Sequence, residues 1–406
     1  MNNKILFLCQ FSYPEYNSSA TLPFDTAKYL ASQGNQIDVM CGYPKEYNRV
    51  GKVPSRETVS GVKIHRLHYV QLKRVGKMGR LINYFSYTAS AFFHILEMRK
   101  YDAIMCYSNP PVLPAVAMLA SRLYGVKVIF VAYDVYPEVA YASGSLSKGS
   151  VVDRVMRWLN RITYKNAAAV VALTDEMKEF LLLNRPELDA ERVFVIPNWA
   201  HESKCTAAPS MYKRFGYHEE QFIVSYFGNM GICQEMNTLI EAARQLQENE
   251  KVRFLIAGHG SKKEQIEAYI HEHNLSNVQI LDFLTGEEFE QALAISSCCV
   301  VSLEPGLKGM CAPSKYYSYL QSGHVVIAIT ERDCYIAKEV KAEQIGCAVE
   351  VGNADALCDW IVNFETEPSL ISVMGEQAMK LYERSYQKEI AMHKYLKLFQ
   401  MVGVDT

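Results

Sequence analysis

Two glycine-rich turns in the second half of the chain could bind an anion through backbone amides. Each follows a predicted buried strand and precedes a predicted helix: Gly228, Asn229, Met230 and Gly231 form the first turn, and Gly258, His259 and Gly260 form the second. Glycine lets the backbone approach a ligand closely, and the amides at a helix start attract phosphate. Glycine at such a turn can equally serve packing, and a lone histidine there is as often structural. The pattern indicates a candidate diphosphate site, with packing as the open alternative.

A third turn adds a cation to this candidate site. Pro313, Ser314 and Lys315 stand at the start of a predicted helix, and Ser318 follows within its first turn. A helix start favours phosphate, and an ammonium group can neutralise a developing phosphate dianion. We therefore predict that Lys315 binds a phosphate group. The alternative is that Lys315 is a solvated surface charge.

Carboxylates in the first half of the chain could carry out acid–base chemistry. Asp134 follows a predicted strand at residues 127–131, where it could act as a general base. Glu138 is the alternative carboxylate. Asp134 could instead cap the turn before Pro137. The histidines have no spacing that suggests a metal site.

The elements that must position these residues are predicted from alternating apolar runs and helix-period segments, a pattern typical of parallel sheets buried on both faces. The predicted strands lie at residues 4–10, 36–41, 62–67, 103–107, 127–131, 168–172, 193–196, 222–227, 252–258, 278–281, 298–303 and 325–329. We predict an α/β chain with a Rossmann-like lobe at 1–198, a linker at 199–221, a second Rossmann-like, nucleotide-binding lobe at 222–380 and a C-terminal helix at 381–406 that crosses back to the first lobe. Ligands of two such lobes are expected in the cleft between them.

Composition limits the class of protein. The chain has 406 residues, of which 49% are hydrophobic and 21% charged, with a formal net charge of −2. These values favour a compact globular protein without bulk attraction to nucleic acid. The short apolar run at the N-terminus is too short for a signal peptide, so we expect a cytoplasmic location. The eleven cysteines have no metal or disulfide spacing, and we expect reduced thiols.

One segment could meet a membrane surface. The predicted helix at 81–99 is rich in aromatic residues and follows the basic residues Lys73, Arg74, Lys77 and Arg80. Basic residues can bind anionic headgroups while aromatic residues enter the interface. The alternative is an ordinary core helix that follows a solvated basic loop.

Several short motifs in a fixed order resemble one known family over nearly the whole chain. They are Asn-Ser-Ser-Ala at 17–20, Tyr-Ser-Asn-Pro-Pro at 107–111, Asp-Val-Tyr-Pro-Glu at 134–138, Ile-Pro-Asn at 196–198, Gly-Asn-Met-Gly at 228–231, Gly-His-Gly at 258–260 and Pro-Ser-Lys-Tyr-Tyr-Ser-Tyr-Leu-Gln-Ser-Gly at 313–323. In this combination the chain resembles GT4 glycosyltransferases, in particular the branch of polysaccharide-assembly enzymes of the N-acetylfucosamine transferase (WbuB) type.

The resemblance implies a GT-B fold, retention of anomeric configuration, no essential metal or other cofactor, and a nucleotide sugar bound mainly by the C-terminal lobe. It also implies that Ser18, Ser19 and Asn109 lie on the acceptor side. The sequence holds no Asp-x-Asp triplet of the kind that binds a divalent ion and a diphosphate. Leaving-group charge would then be stabilised by amides and cations alone.

The chain departs from the family at four positions. Many relatives have an arginine and a lysine where this chain has Asn229 and Gln234, and two glutamates where it has Met310 and Ser318. Ser318 could still bind a ribose hydroxyl, and Lys315 could replace one missing cation. We predict a retaining transferase that moves a sugar to a glycan or a polyprenyl-diphosphate-linked acceptor in surface polysaccharide synthesis. A nucleotide-sugar epimerase and an impaired sugar-nucleotide-binding partner subunit are the alternatives.

Overall fold

The computed structural model describes residues 3–44, 52–72, 77–201 and 207–404. The chain divides into two compact units. Unit 1 comprises the described residues of Met1–Asn198, Gly309–Ala312 and Lys388–Thr406, and unit 2 comprises those of Trp199–Lys308 and Pro313–Gln387.

Unit 1 is built on an eight-stranded sheet. Its strands are β1 (Lys4–Leu8), β2 (Gln36–Gly42), β3 (Arg56–Val59), β4 (Val62–Leu67), β5 (Ala103–Tyr107), β6 (Lys127–Ala132), β7 (Ala169–Ala172) and β8 (Val193–Val195). The order is β3-β4-β2-β1-β5-β6-β7-β8, and among the described strand pairs only β3–β4 is antiparallel. The chain changes direction across the sheet between β1 and β5, and in such sheets ligands bind at the carboxyl ends of the strands at that point.

The helices of unit 1 cover both faces of this sheet. They are α1 (Ser18–Ser32), α2 (Lys77–Phe93), α3 (Pro114–Tyr124), α4 (Glu138–Ala142), α5 (Val151–Asn166), α6 (Asp175–Asn184) and α15 (Lys388–Met401), with 3₁₀ helices at Ile95–Lys100 and Ala190–Arg192. α3 packs against both α2 and α5, and α1 packs against α15. Side-chain caps fix two of the helix starts, because Ser150 accepts from the Asp153 amide and Thr174 from the Met177 amide.

Unit 2 contains a fully parallel six-stranded sheet. Its strands are β9 (Phe222–Asn229), β10 (Val252–His259), β11 (Val278–Leu281), β12 (Cys298–Ser302), β13 (Val325–Ile329) and β14 (Gly346–Val349), in the order β11-β10-β9-β12-β13-β14. Its helices are α7 (Pro209–Arg214), α8 (Asn237–Gln245), α9 (Lys263–Glu272), α10 (Glu287–Ala294), α11 (Lys315–Gln321), α12 (Tyr335–Ala342), α13 (Ala354–Thr366) and α14 (Pro368–Ser385). The direction changes between β9 and β12, so the carboxyl end of β9 is the expected ligand position.

Some predicted elements differ from the observed ones. The long C-terminal helix is two helices, because the backbone at Tyr386 leaves helical geometry with φ −127°. The residues that return to unit 1 begin at Lys388, and the predicted linker at 199–221 belongs to unit 2 and contains α7. β3, β14, α4, α12 and most of α14 were not predicted from the sequence. Cys298 and Cys299 are both buried in β12, where burial raises the pKa of each thiol.

Candidate functional site

Lys315 is the main charged group of the predicted anion site in unit 2. It is the first residue of α11, and its ammonium nitrogen is buried 3.4 Å from the centre of the Tyr226 ring. That nitrogen has no hydrogen-bond partner among the described residues. Burial lowers the pKa of Lys315 well below the usual value of 10.5. A buried cation without an anion is costly, and an incoming phosphate would raise this pKa and restore the charge.

Gly228 forms the part of the site next to this ammonium. Its φ is +124°, and a Cβ at this position would lie 3.4 Å from Cε of Lys315 and 3.6 Å from Nζ. Two tyrosines fix the strand end that carries Gly228. The Tyr226 hydroxyl donates to the Asn229 carbonyl at 2.7 Å, and the Phe227 amide donates to the Tyr319 hydroxyl at 3.1 Å. The carboxyl end of β9 is therefore rigidly placed beside Lys315.

The two glycine-rich turns pack against each other. A Cβ on Gly258 would lie 1.8 Å from the Gly228 carbonyl oxygen, and a Cβ on Gly260 would lie 2.3 Å from the Met230 backbone. The Met230 amide donates to the His259 carbonyl at 2.7 Å, and the Gly231 amide donates to Oε1 of Gln234 at 3.2 Å. Packing thus accounts for Gly258 and Gly260. The amides of Met230 and Gly231, expected to bind an anion, already have acceptors in the protein.

The positions where relatives have cations are occupied by a hydrogen-bonded amide pair. Asn229 Nδ2 donates to Gln234 Oε1 at 3.3 Å. A lysine that was not among the predicted site residues lies next to this pair. Lys262 Nζ donates to the Gln234 carbonyl at 2.7 Å and forms an ion pair with Glu304. Its position, two residues after the second glycine of the 258–260 turn, was the available sequence signal.

The remaining predicted donor residues surround the start of α11. Ser318 is half-buried, and its carbonyl accepts a hydrogen bond from the Ser322 hydroxyl at 2.7 Å. Pro313 and Ser314, also half-buried, immediately precede Lys315. Met310, at the other family glutamate position, belongs to unit 1, where its carbonyl accepts from the Val135 amide at 2.8 Å. The roles of Ser314 and Ser318 in donor binding stay predictions.

Asp134 lies in unit 1 beyond the end of β6. Its amide donates to the Ser108 hydroxyl at 3.1 Å, and its backbone pairs with Cys311. Burial raises the pKa of Asp134 to about 6, which is near the value that suits a general base. A cavity of about 10 Å³, the size of one water molecule, is lined by Asp134, Ser108 and Asn160 among others.

Glu138, unlike Asp134, forms an ion pair with an arginine. Arg185 binds both of its carboxylate oxygens, at 2.9 Å and 2.7 Å, and also donates to the Tyr136 carbonyl at 3.1 Å. The Arg185 guanidinium lies 5.3 Å from the centre of the Tyr164 ring. Such a two-pronged, largely buried pair holds the loop that follows Asp134. The Arg185 pair favours a positioning role for Glu138, and its role as a catalytic carboxylate stays a prediction. No sequence pattern pointed to Arg185.

Unpaired polar groups collect at the switch point of the unit 1 sheet. Both side-chain amide atoms of Gln10, the Ser12 hydroxyl, and the Oδ1 atoms of Asn17 and Asn109 are buried, and none has a partner in the described parts of the chain. Gln10 and Ser12 follow β1, and Asn109 follows the neighbouring β5. Buried polar groups are normally hydrogen-bonded, so this cluster has the chemistry to bind hydroxyl groups.

The other acceptor-side predictions lie close to this cluster in sequence. Ser18 and Ser19 are half-buried at the start of α1, directly after Asn17. A larger cavity of about 240 Å³ lies elsewhere in unit 2, lined by Thr330, Arg332 and Trp360 among others. Arg332 there is exposed and paired with Glu350. Among the described residues that line this cavity, none has a buried charged group without a hydrogen-bond partner, as Lys315 has.

The segment predicted to meet a membrane is only partly described. Lys73 and Arg74 lie outside the described residues, and Lys77 and Arg80 lie in α2 with side chains that also fall outside the description. α2 buries Tyr87 and Ala91, as a core helix does, yet it also exposes large apolar side chains, namely Leu81, Ile82, Phe85, Phe92 and Phe93. Within the described ranges, no helix combines the length and apolar character needed to cross a membrane.

Comparison with known proteins gives consistent matches. The family described as "Glycosyl transferase 4-like domain" matches residues 24–199, and "Glycosyl transferases group 1" matches residues 208–381. The chain is 25% identical to "Probable glycosyltransferase WbjE" of Pseudomonas aeruginosa, over 73% of this chain and 74% of that protein. It is 22% identical to "Putative colanic acid biosynthesis glycosyl transferase WcaI" of Escherichia coli strain K12, over 94% and 96%.

Solved structures agree in fold. Sucrose-phosphate synthase from Thermosynechococcus elongatus aligns over 100% of both chains with TM-score 0.78 and 15% identity. Anabaena Alr3699/HepE, crystallised in complex with UDP-glucose, aligns over 98% of this chain and 100% of its own with TM-score 0.73 and 15% identity. The GT-B fold expected from the motifs is confirmed.

Proposed function

The chain belongs to the GT4 glycosyltransferases, and from this premise we propose that it transfers a sugar from a nucleotide-diphosphate donor to a glycan or a polyprenyl-diphosphate-linked acceptor, with retention of anomeric configuration. The buried, unpaired ammonium of Lys315 is the observation that carries the proposal, because it provides a positive charge for the donor diphosphate at the carboxyl end of β9. We also propose that the chain belongs to the WbuB-type branch of the family.

Lys315 is suited to act on the leaving group. As the bond from the anomeric carbon to the diphosphate breaks, negative charge accumulates on the phosphate oxygen, and a pre-placed cation stabilises that charge without reorganisation. Lys262 is already neutralised by Glu304, so it is less suited to this role. Asn229 and Gln234 contribute no charge, and stabilisation therefore depends mainly on Lys315. The proposed reaction requires no metal ion.

The polar cluster of Gln10, Ser12 and Asn109 supports a hydroxyl-rich acceptor. Each group is buried without a partner among the described residues, and sugar hydroxyls both donate and accept hydrogen bonds. Asp134 is proposed to orient the attacking hydroxyl or to accept its proton. In retaining transfer by attack on the face of the leaving group, the departing phosphate can take that proton instead.

The relatives give the proposal its biological setting. WcaI is described as a putative colanic acid biosynthesis glycosyl transferase, and a structure of the lipopolysaccharide-biosynthesis glycosyltransferase WaaG aligns with TM-score 0.71 at 14% identity. We propose a role in bacterial surface polysaccharide synthesis, at the cytoplasmic face of the membrane. Contact of Lys73, Arg74, Lys77 and Arg80 with anionic lipid is part of this proposal.

The proposal is tested with a panel of UDP-, GDP-, CDP- and dTDP-sugars. The purified chain is incubated with each sugar, with and without EDTA, and thermal shifts identify the nucleotide that binds. Slow donor hydrolysis that persists in EDTA and disappears in Lys315→Met is the expected result. Formation of an epimer would show an epimerase, and binding without any turnover would show a nucleotide-binding partner subunit. NMR of the anomeric proton in the product then tests retention.

A further inference from the structure

Helix α5 exposes apolar side chains on its outer face. On its inner face it buries the polar residues Asp153, Asn160 and Thr163 together with Met156 and Tyr164. Apolar side chains recur at i, i+4 and i+7 on the opposite side, namely Val151, Val155 and Trp158, whereas Ile162, at i+11, is half-buried and packs against the core of unit 1. Val151 is 71% exposed, Val155 49% and Trp158 61%. A helix of a globular protein normally turns such a stripe towards the core, so this surface requires another explanation.

Hydrogen bonds fix the rotation of α5 about its axis. Asp153 accepts from the Tyr141 hydroxyl and from the Gly149 amide, the latter at 2.7 Å. Asn160 donates to the Tyr136 carbonyl at 2.6 Å. Turning the apolar stripe inward would break these hydrogen bonds, and each lost bond costs free energy. The exposed stripe is therefore a stable feature of the folded unit.

The charges beside the stripe identify its partner. Four basic side chains on α5 are exposed, namely Arg154, Arg157, Arg161 and Lys165. The helix has one acidic residue, Asp153, and it faces inward. On a helical projection Arg154, Arg161 and Lys165 lie along one edge of the stripe. A tryptophan and valines bordered by arginines match an anionic membrane surface, where apolar side chains enter the interface and basic groups bind lipid phosphates.

We propose that the outer face of α5 is a membrane-docking surface for anionic lipid. The same helix contributes Asn160 and Tyr164, from its inner side, to the cavity beside Asp134. A helix is about 10 Å thick, so docking would hold Asp134 roughly one helix diameter from the lipid headgroups. This last point rests on the proposed function, because that depth suits an acceptor whose diphosphate is anchored in the membrane.

The docking surface is tested by flotation of the full chain with vesicles. Vesicles of phosphatidylglycerol and phosphatidylethanolamine are compared with vesicles of phosphatidylcholine alone. The wild-type chain should float with the anionic vesicles only. Val155→Ser combined with Trp158→Ser should lose at least tenfold in partitioning. Arg154→Gln with Arg161→Gln and Lys165→Gln should lose about 100-fold, at about fivefold per basic residue. The control Val373→Ser, which alters an exposed valine of unit 2, should bind as wild type.

Two further measurements separate the alternatives. Phospholipids with brominated acyl chains should quench tryptophan fluorescence in wild type, and Trp158→Phe should lose this quenching. Sedimentation velocity without lipid tests self-association through α5. The inference would be overturned if the serine variant bound vesicles as strongly as wild type. It would also be overturned if the wild-type chain did not bind vesicles but formed a dimer that the serine variant abolished. Hydrolysis of a soluble donor should be unchanged in these variants, so failure of the proposed function is seen separately.

Discussion

We expect Lys315→Met to raise the stability of the ligand-free protein and to lower its activity. In the free protein, the buried ammonium of Lys315 has no hydrogen-bond partner in the described part of the chain, and methionine has similar length without the charge. We expect the free energy of unfolding of the ligand-free variant to rise. At pH values between the lowered pKa of Lys315 in the folded state and its usual value of 10.5, Lys315 is deprotonated in the folded state and protonated in the unfolded state. Wild-type stability should therefore increase with pH over that window, and the variant should lack this increase.

The activity should change in the opposite direction. Two unit charges about 4 Å apart attract by about 4 kcal/mol at an effective dielectric constant of about 20. The residual cost of burying the cation offsets part of this attraction. A net loss of about 2–3 kcal/mol corresponds to a decrease in kcat/KM of roughly 30- to 160-fold. Nucleotide-induced thermal stabilisation should fall in parallel.

The assay combines urea unfolding at several pH values with donor turnover. Lys338→Met is the matched control, because Lys338 is an exposed lysine of α12 in the same unit. It should change neither stability nor kcat/KM appreciably. A Lys315→Met variant with wild-type kcat/KM would refute the assignment of Lys315 to the donor phosphate. A variant that is both less stable and inactive would instead identify Lys315 as a structural residue.

Other predictions follow from the remaining contacts. The kcat/KM of wild type should fall about tenfold per pH unit below about pH 6, because Asp134 must be ionised to act as a base. Asp134→Asn should give a low kcat/KM that does not vary with pH in this range. A pH profile of the variant equal to that of wild type would show that Asp134 takes no part in proton transfer. Arg185→Met should lower the free energy of unfolding by about 2–4 kcal/mol in urea titrations, since it strands the Glu138 carboxylate. Gly258→Ala should cost at least about 2 kcal/mol because its Cβ meets the Gly228 carbonyl, and wild-type stability would refute that packing. Gln10→Leu should raise the acceptor KM about tenfold while stabilising the free protein by about 1 kcal/mol, measured by initial rates and thermal unfolding.

Most of the fold could be predicted from local pattern. Central strands such as β5 and β13 have the predicted bounds, because a strand buried on both faces is a continuous apolar run. β3, with alternating exposed and half-buried residues, has no such run and was missed. The predicted long C-terminal helix is interrupted at Tyr386. The hydroxyl of Tyr386 donates to the Glu339 carboxylate, which is distant in sequence, at 2.6 Å. A helix end set by a tertiary contact leaves little trace in local sequence.

The sequence by itself determined the family and the chemistry available at Lys315 and Asp134, because motif order and residue type are properties of the chain. Only the tertiary structure decided how those groups are used. It buried the Lys315 ammonium over the Tyr226 ring, committed Glu138 to Arg185, and turned the apolar stripe of α5 outward. The physical reason is that burial and pairing depend on side chains distant in sequence, and these set the pKa, the charge and the exposure on which function rests.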